Sequence, residues 1–236
     1  MDALRQRLKT NLQAVRQRIG EAAARAGREG QAVRLVAVTK SAELDAIRAM
    51  VDLGQTDLGE SRMPQLVERA QELAQAGGPA SAATWHMVGH LQRNKVRPVL
   101  DVVGMIHSVD SLRLAEEINL RAERLGRIVD VLMQVNCSRE AQKFGVAVGA
   151  ALHLGELICT LRNLNLLGLM TMGPLEGGPD AARRSFIRLR ELFEDMRHER
   201  IGGAGFTHLS MGMSQDLEIA VEEGATILRI GTALFG

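Results

Sequence analysis

The sequence predicts an α/β barrel of eight parallel strands, and three observations carry that expectation. Eight runs rich in β-branched and apolar residues recur along the 236-residue chain. Most of the seven intervals between them carry helix-period patterning, the alternation that builds a parallel sheet. The length is close to that typical of a closed (β/α)8 barrel, and no GxGxxG opens a helix after the first strand to favour an open dinucleotide-binding sheet. With no linker or break in composition, residues 1–236 are expected to form one domain.

The chain begins on a helix. Leu4, Leu8, Leu12, Val15 and Ile19 form one stripe at helical spacing, so this segment is expected to dock rather than to act as a presequence. Strands are expected at 33–39, 56–59, 84–89, 102–107, 128–136, 164–172, 206–211 and 225–230. Helices are expected at 42–53, 63–75, 111–125 and 179–197. Only four residues follow Thr232, so no full helix is expected after the last strand, and the N-terminal helix is the candidate to cover that part of the wall. Loop 77–81 joins a helix to the next strand and belongs at the barrel's bottom. Loop 173–180 follows a strand and belongs at the top, where barrel active sites are built.

Composition narrows the function. Hydrophobic residues make up 46% and charged residues 24%, enough core and too little charge for a disordered chain. A net charge of +1 gives no clustered basic excess for nucleic acid, and Arg93, Lys95 and Arg97 read as a solvated helix face. No apolar run is long enough to cross a bilayer, and MDALRQRLKT lacks the apolar stretch of a secretory signal. Cys137 and Cys159 have no C-x-x-C spacing and read as free thiols, so a cytoplasmic location is expected. His86 and His90, four apart, could share a strand face, but no Cys, Asp or Glu joins them at ligand spacing, and no metal is expected.

The strand ends would gather Lys40, Ser61, His90, Asp110, Asn136, Met172, Met211 and the segment carrying Arg229, Gly231 and Thr232 at one mouth. VRLVAVTK places Lys40 at the tip of a buried strand, where desolvation would favour the neutral, nucleophilic amine. ATILRIGTALFG supplies a Gly-Thr turn whose backbone amides and hydroxyl suit a phosphate. LSMGMSQDLE adds a second glycine turn, with Ser214 expected at the N-terminal end of a helix. An amine aimed at a phosphate-binding turn is what pyridoxal 5′-phosphate (PLP) requires, the aldehyde meeting one and the phosphate the other.

With those motifs in place the chain resembles the pyridoxal phosphate homeostasis proteins, relatives of the barrel domain of bacterial alanine racemase. The resemblance runs through LVAVTK, GES, WHMVGHLQRNK, IHSVDS, VNCSREAQKFGV, GLMTMGP, HLSMGMSQDLEIAVEEGAT and RIGTALFG. It implies a Schiff base at Lys40, phosphate contacts from Ser214, Gly231 and Thr232, and Arg229 facing the pyridine nitrogen. Ser61, His86 and Met211 complete the expected set of cofactor contacts. One motif departs from the family: the usual GEN followed by an aromatic residue reads GESRMPQ, with a shorter Ser61 and a charged Arg62.

Two functions follow from the resemblance, a non-catalytic PLP carrier and an amino-acid racemase. Racemases of this type pair the lysine with a tyrosine supplied by a separate C-terminal domain, whereas this chain contains no tyrosine and ends where the barrel ends. Arg229 opposite the ring nitrogen would keep that nitrogen unprotonated and weaken the ring as an electron sink. The expectation is therefore a monomeric carrier without turnover, serving apo-PLP enzymes as recipients.

Overall fold

The structure is a computed structural model that describes residues 2–138, 140, 142–174 and 176–236. It is a closed parallel barrel wrapped by helices. The elements in chain order are α1 (Asp2–Arg25), β1 (Arg34–Val38), α2 (Leu44–Asp52), β2 (Asp57–Glu60), α3 (Met63–Ala76), β3 (Thr84–Met87), α4 (Val96–Leu100), β4 (Val103–Val109) and α5 (Leu112–Arg124). They continue with β5 (Val129–Asn136), β6 (Val146–Ala147), α6 (Ala151–Cys159), β7 (Leu164–Met170), α7 (Gly178–His198), β8 (His208–Ser210), α8 (Leu217–Glu222), β9 (Ile227–Ile230) and α9 (Thr232–Phe235).

Each of the eight expected runs holds one barrel strand. They pair in the order β1-β2-β3-β4-β5-β7-β8-β9, and β1 pairing with β9 closes the ring. The unexpected strand is β6, two residues paired with the end of β5 through Val135 opposite Val146. It is too short to show a period in sequence. Where β7 passes β8 the chains come so close that a Cβ on Gly168 would stand 1.9 Å from the His208 carbonyl oxygen. Only glycine fits there.

Side-chain alternation splits the interior in two. In β1, Leu35 and Ala37 join the large cluster between strands and helices, while Val36 points into the lumen. The lumen's apolar part is small: Val36, Met105, Leu132, Met170 and Ile227. Leu167 and Met172 pack against these five, and His86, His107, Ser210 and Arg229 are buried on strands around them.

The N-terminal helix covers the wall as expected. Leu8, Leu12, Val15 and Ile19 are buried, each leucine stabilising by roughly 1.5–3 kcal/mol relative to exposure, and Leu4 packs at the edge. Polar contacts fix its register: Asn11 donates to the Leu234 carbonyl at 3.0 Å, and Arg18 pairs with Glu218 at 2.6 Å while also donating to the Ser214 carbonyl at 3.1 Å. After β9 comes the four-residue helix α9. Among the described residues no helix is long and apolar enough to cross a membrane.

Candidate functional site

Lys40 stands two residues beyond the end of β1, inside a tight turn closed by Ala42 N–H donating to the Thr39 carbonyl at 2.8 Å. A buried clamp holds that turn. The Glu60 carboxylate accepts from the Thr39 hydroxyl at 2.9 Å and pairs with Arg69. Arg69 in turn donates to the carbonyls of Thr39 at 2.7 Å and Ala42 at 2.8 Å. The side chain of Glu60 is fully buried, and Arg69 is the cation paired with it. Lys40 itself is exposed, so the protein alone does not supply the desolvation expected for it.

The other half of the site comes from the last two barrel strands. Gly231 lies against β1, and Thr232 beside it is exposed at the start of α9. Contrary to the sequence expectation, Ser214 does not enter a helix: α8 begins at Leu217, three residues later. Its hydroxyl accepts instead from the Ala233 N–H at 3.1 Å, stitching the turn after β8 to the turn after β9. The three residues expected around a phosphate, Ser214, Gly231 and Thr232, are thus brought together by a contact across the chain.

Beneath this rim Arg229 points into the lumen, 4% exposed. Its guanidinium donates to the Ser210 hydroxyl at 2.6 Å and to the Thr171 carbonyl at 2.8 Å. Two of its five N–H donors are thereby used. Burial pulls its pKa from 12.5 to about 10, with Asp216 opposing the shift, and this leaves a cation at neutral pH. Asp216 is itself pushed up by burial, against the N–H of Met213 that donates to it.

Two expected contacts are placed elsewhere, and a third, Ser61, is tied to its own strand end. His86 lies inside β3, 1% exposed, with one ring nitrogen 2.9 Å from Asp57 and the other 3.0 Å from His107, so neither is free to bond a ligand. It does not share a strand face with His90, because β3 ends at Met87. Met211 is fully buried in the main core rather than at the open face. Ser61 is at the end of β2, but its N–H donates to Glu60 at 2.7 Å, and Gly89 packs on its backbone so closely that a Cβ would stand 2.2 Å from its carbonyl oxygen. At the same rim His90 stacks on Phe144 at 3.9 Å and faces Asp110 at 3.5 Å. Among the described residues no group of three His, Cys, Asp or Glu is placed to hold a metal.

Sequence reasoning missed His107, Ser210, Glu60 and Arg69. The available signal was a polar residue within an apolar strand, His107 in GMIHSV; Ser210, at the end of HLS, gave no such signal, and both are fully buried.

The residues present fit PLP. Lys40 offers an exposed amine, Ser214, Gly231 and Thr232 converge where a phosphate would sit, and Arg229 keeps N–H donors for a ring acceptor. A parallel barrel with this donor set is the architecture of the alanine racemase N-terminal domain class, whose family matches residues 10–236. Relatives similar over nearly the whole chain are the pyridoxal phosphate homeostasis proteins of Aquifex aeolicus, 39% identical over 225 residues (95% of this chain, 96% of the relative), and Pseudomonas aeruginosa, 39% identical over 226 residues (96% and 94%). The chain belongs to the pyridoxal phosphate homeostasis protein family.

Solved structures agree. A protein of unknown function from Bifidobacterium adolescentis superposes with a TM-score of 0.91 at 38% identity, covering 100% of this chain and 97% of that one. PipY of Synechococcus elongatus, solved with PLP bound, superposes with a TM-score of 0.80 at 32% identity, covering 92% and 100%. Alanine racemase of Clostridium difficile shares the fold, with a TM-score of 0.72 at 16% identity, and 56% of its length is covered.

Proposed function

We propose that this chain binds PLP through Lys40 and stores or hands on the cofactor without turning over amino acids. The observation that carries the reading is the convergence of an exposed lysine, a Ser214–Ala233 stitched turn and a buried arginine at one end of the barrel. The homeostasis relatives and PLP-bound PipY support the ligand. When bound, PLP supplies an aldehyde and an electron-accepting ring.

The chain's residues then divide the work. The Glu60–Arg69 clamp aims Lys40, the rim of Ser214, Gly231 and Thr232 holds the phosphate, and Arg229 donates toward the ring nitrogen. As a cation that never accepts a hydrogen bond, Arg229 disfavours a proton on that nitrogen, which limits the ring's acidifying power. A two-base racemisation needs a second proton carrier facing Lys40, and the sequence contains no tyrosine to serve as one. His86 and His107 have both ring nitrogens engaged. The exposure of Lys40 suits exchange with an apo-PLP enzyme, the recipient class expected, and the chain is read as a monomer in the cytoplasm.

The test incubates PLP-loaded protein with L- and D-alanine, follows chirality, and separately offers it to an apo-PLP enzyme. Expected are no racemisation at an enzymatic rate and reactivation of the apo-enzyme. Racemisation with ordinary turnover, abolished by Lys40→Ala, overturns the carrier reading.

A further inference from the structure

A continuous polar chain crosses the barrel lumen. Asp57, the first residue of β2, faces His86 Nε2 at 2.9 Å; His86 Nδ1 faces His107 Nε2 at 3.0 Å; His107 Nδ1 faces Ser210 Oγ at 2.9 Å. Arg229 Nη1 then donates to Ser210 Oγ at 2.6 Å. His86, His107, Ser210 and Arg229 are all buried, whereas the Asp57 side chain is 29% exposed. Asp57 lines a cavity of about 560 Å³ at the barrel's opposite end, together with Arg16 and Arg34. The chain therefore links solvent at the bottom to the guanidinium at the top.

Its two ends set its direction. A guanidinium has only donors and a carboxylate only acceptors. With both histidines neutral, the one arrangement without opposed lone pairs is Arg229 to Ser210, Ser210 hydroxyl to His107 Nδ1, His107 Nε2–H to His86 Nδ1, and His86 Nε2–H to Asp57. The reverse sense would require a second cation at His86 and would leave the Ser210 proton without an acceptor among the bonds of the described residues. Burial, with the Arg229 charge adding repulsion, also holds His107 well below the usual 6.5 and so neutral.

We propose that Asp57, His86, His107 and Ser210 are positioning residues for Arg229. They form a one-way hydrogen-bond chain that fixes the guanidinium as a donor to the ring end of the cofactor. The proposal rests on PLP being the ligand, and it extends the site to a carboxylate at the far end of the barrel that touches no part of it. The chain acts on the ring end alone; the phosphate rim is held separately through Ser214 and Ala233.

The experiment has two arms. In cofactor-free protein labelled with 15N-histidine, His86 and His107 are both expected as Nε2–H tautomers at pH 7. An Nδ1–H tautomer or an imidazolium at either overturns the proposal. In the second arm, Ser210→Ala and Asp57→Ala are titrated with PLP and with inorganic phosphate. Each variant is expected to weaken PLP about 10-fold, the loss of one buried hydrogen bond, and to leave phosphate affinity unchanged. Asp57→Asn, which retains an acceptor oxygen, is expected to preserve the wild-type tautomers and most of the PLP affinity. Equal losses for PLP and phosphate, or no loss of PLP affinity in Asp57→Ala, overturn the proposal. Asp57 is partly exposed, so its variants remain readable if Ser210→Ala does not fold. Failure of the wild-type protein to bind PLP sinks the functional reading instead, and the tautomer pattern, read without cofactor, tells the two failures apart.

Discussion

Gly231 lies so close to Val38 that a Cβ on it would come within 3.2 Å of the Val38 carbonyl oxygen. Val38 is two residues before Lys40, so the turn expected at the phosphate and the strand that presents the amine are in contact at their backbones. A side chain at this position would press on β1 as well as on any ligand. Gly231→Val should therefore lower stability by roughly 1–3 kcal/mol through overpacking and weaken PLP as well. Thermal unfolding without ligand separates the two: unchanged stability with lost PLP binding would show that the glycine serves the ligand alone.

Thr232→Ala isolates the phosphate end. Its hydroxyl makes no bond among those of the described residues, and it is the Thr232 carbonyl that accepts from Gly236. Stability should be unchanged, while PLP affinity falls by roughly 1–3 kcal/mol, the range for a charge-assisted hydrogen bond. Pyridoxal, which lacks the phosphate, should bind the variant and the wild type alike. Isothermal titration with both ligands decides the matter.

Lys40 is exposed, so Lys40→Ala should leave the unfolding transition in place. Borohydride treatment of PLP-loaded wild type should fix a pyridoxyl group on the peptide containing Lys40, and the variant should lose the corresponding visible absorbance. Label found on another lysine, with none on Lys40, would move the attachment site.

Arg69→Ala should be far more damaging than its position in a surface helix suggests. It leaves the Glu60 carboxylate buried without its cation and frees the carbonyls of Thr39 and Ala42. Breaking such a pair costs about 3–5 kcal/mol. The double change Arg69→Met with Glu60→Gln should recover part of the stability, because no charge is then stranded. Urea denaturation of the three proteins reads this directly.

His107 makes the protein acid-sensitive. Its folded pKa lies well below the 6.5 of an unperturbed histidine because burial opposes the charge. The unfolded chain therefore binds the proton first, and stability contributed by the neutral ring is complete above about pH 6.5 and declines as the pH falls below it. One proton corresponds to a slope of up to about 1.4 kcal/mol per pH unit. His107→Gln should unfold with a shallower dependence between pH 6.5 and 5; an unchanged slope would falsify the assignment.

Most of the fold was legible because a parallel barrel strand is buried on both faces. LVAV, VLMQV and ILRI read as near-continuous apolar runs bounded by turns, and their spacing gave the alternation. Lys40, Arg229 and the Gly-Thr turn stood out because they interrupt or end such runs. What sequence did not reveal was which face each polar interruption occupies. His107 and Met211 differ by orientation: one points into the lumen chain and the other into the helical layer. Ser214 shows a further limit. Its local pattern is that of a helix cap, yet its partner is Ala233 in α9, which the pairing of β8 with β9 brings near. The Glu60–Arg69 pair was invisible for the same reason, since a strand-end carboxylate and a mid-helix arginine are each unremarkable alone.

The pairing of β1 with β9 joins the two ends of the fold, with Arg34 opposite Ile227 and Ala37 opposite Ile230. Lys40 extends from one side of this closure and Thr232 from the other, so a ligand touching both acts as a clasp. Lys40 and Thr232 lie far apart in the sequence, so bringing them together is a contact of high sequence separation that forms late. A ligand that needs both would then report closure of the barrel. Ligand held across the closure stabilises the whole domain by mass action rather than one loop, so the pool of loaded protein would outlast the empty one under heat or proteolysis.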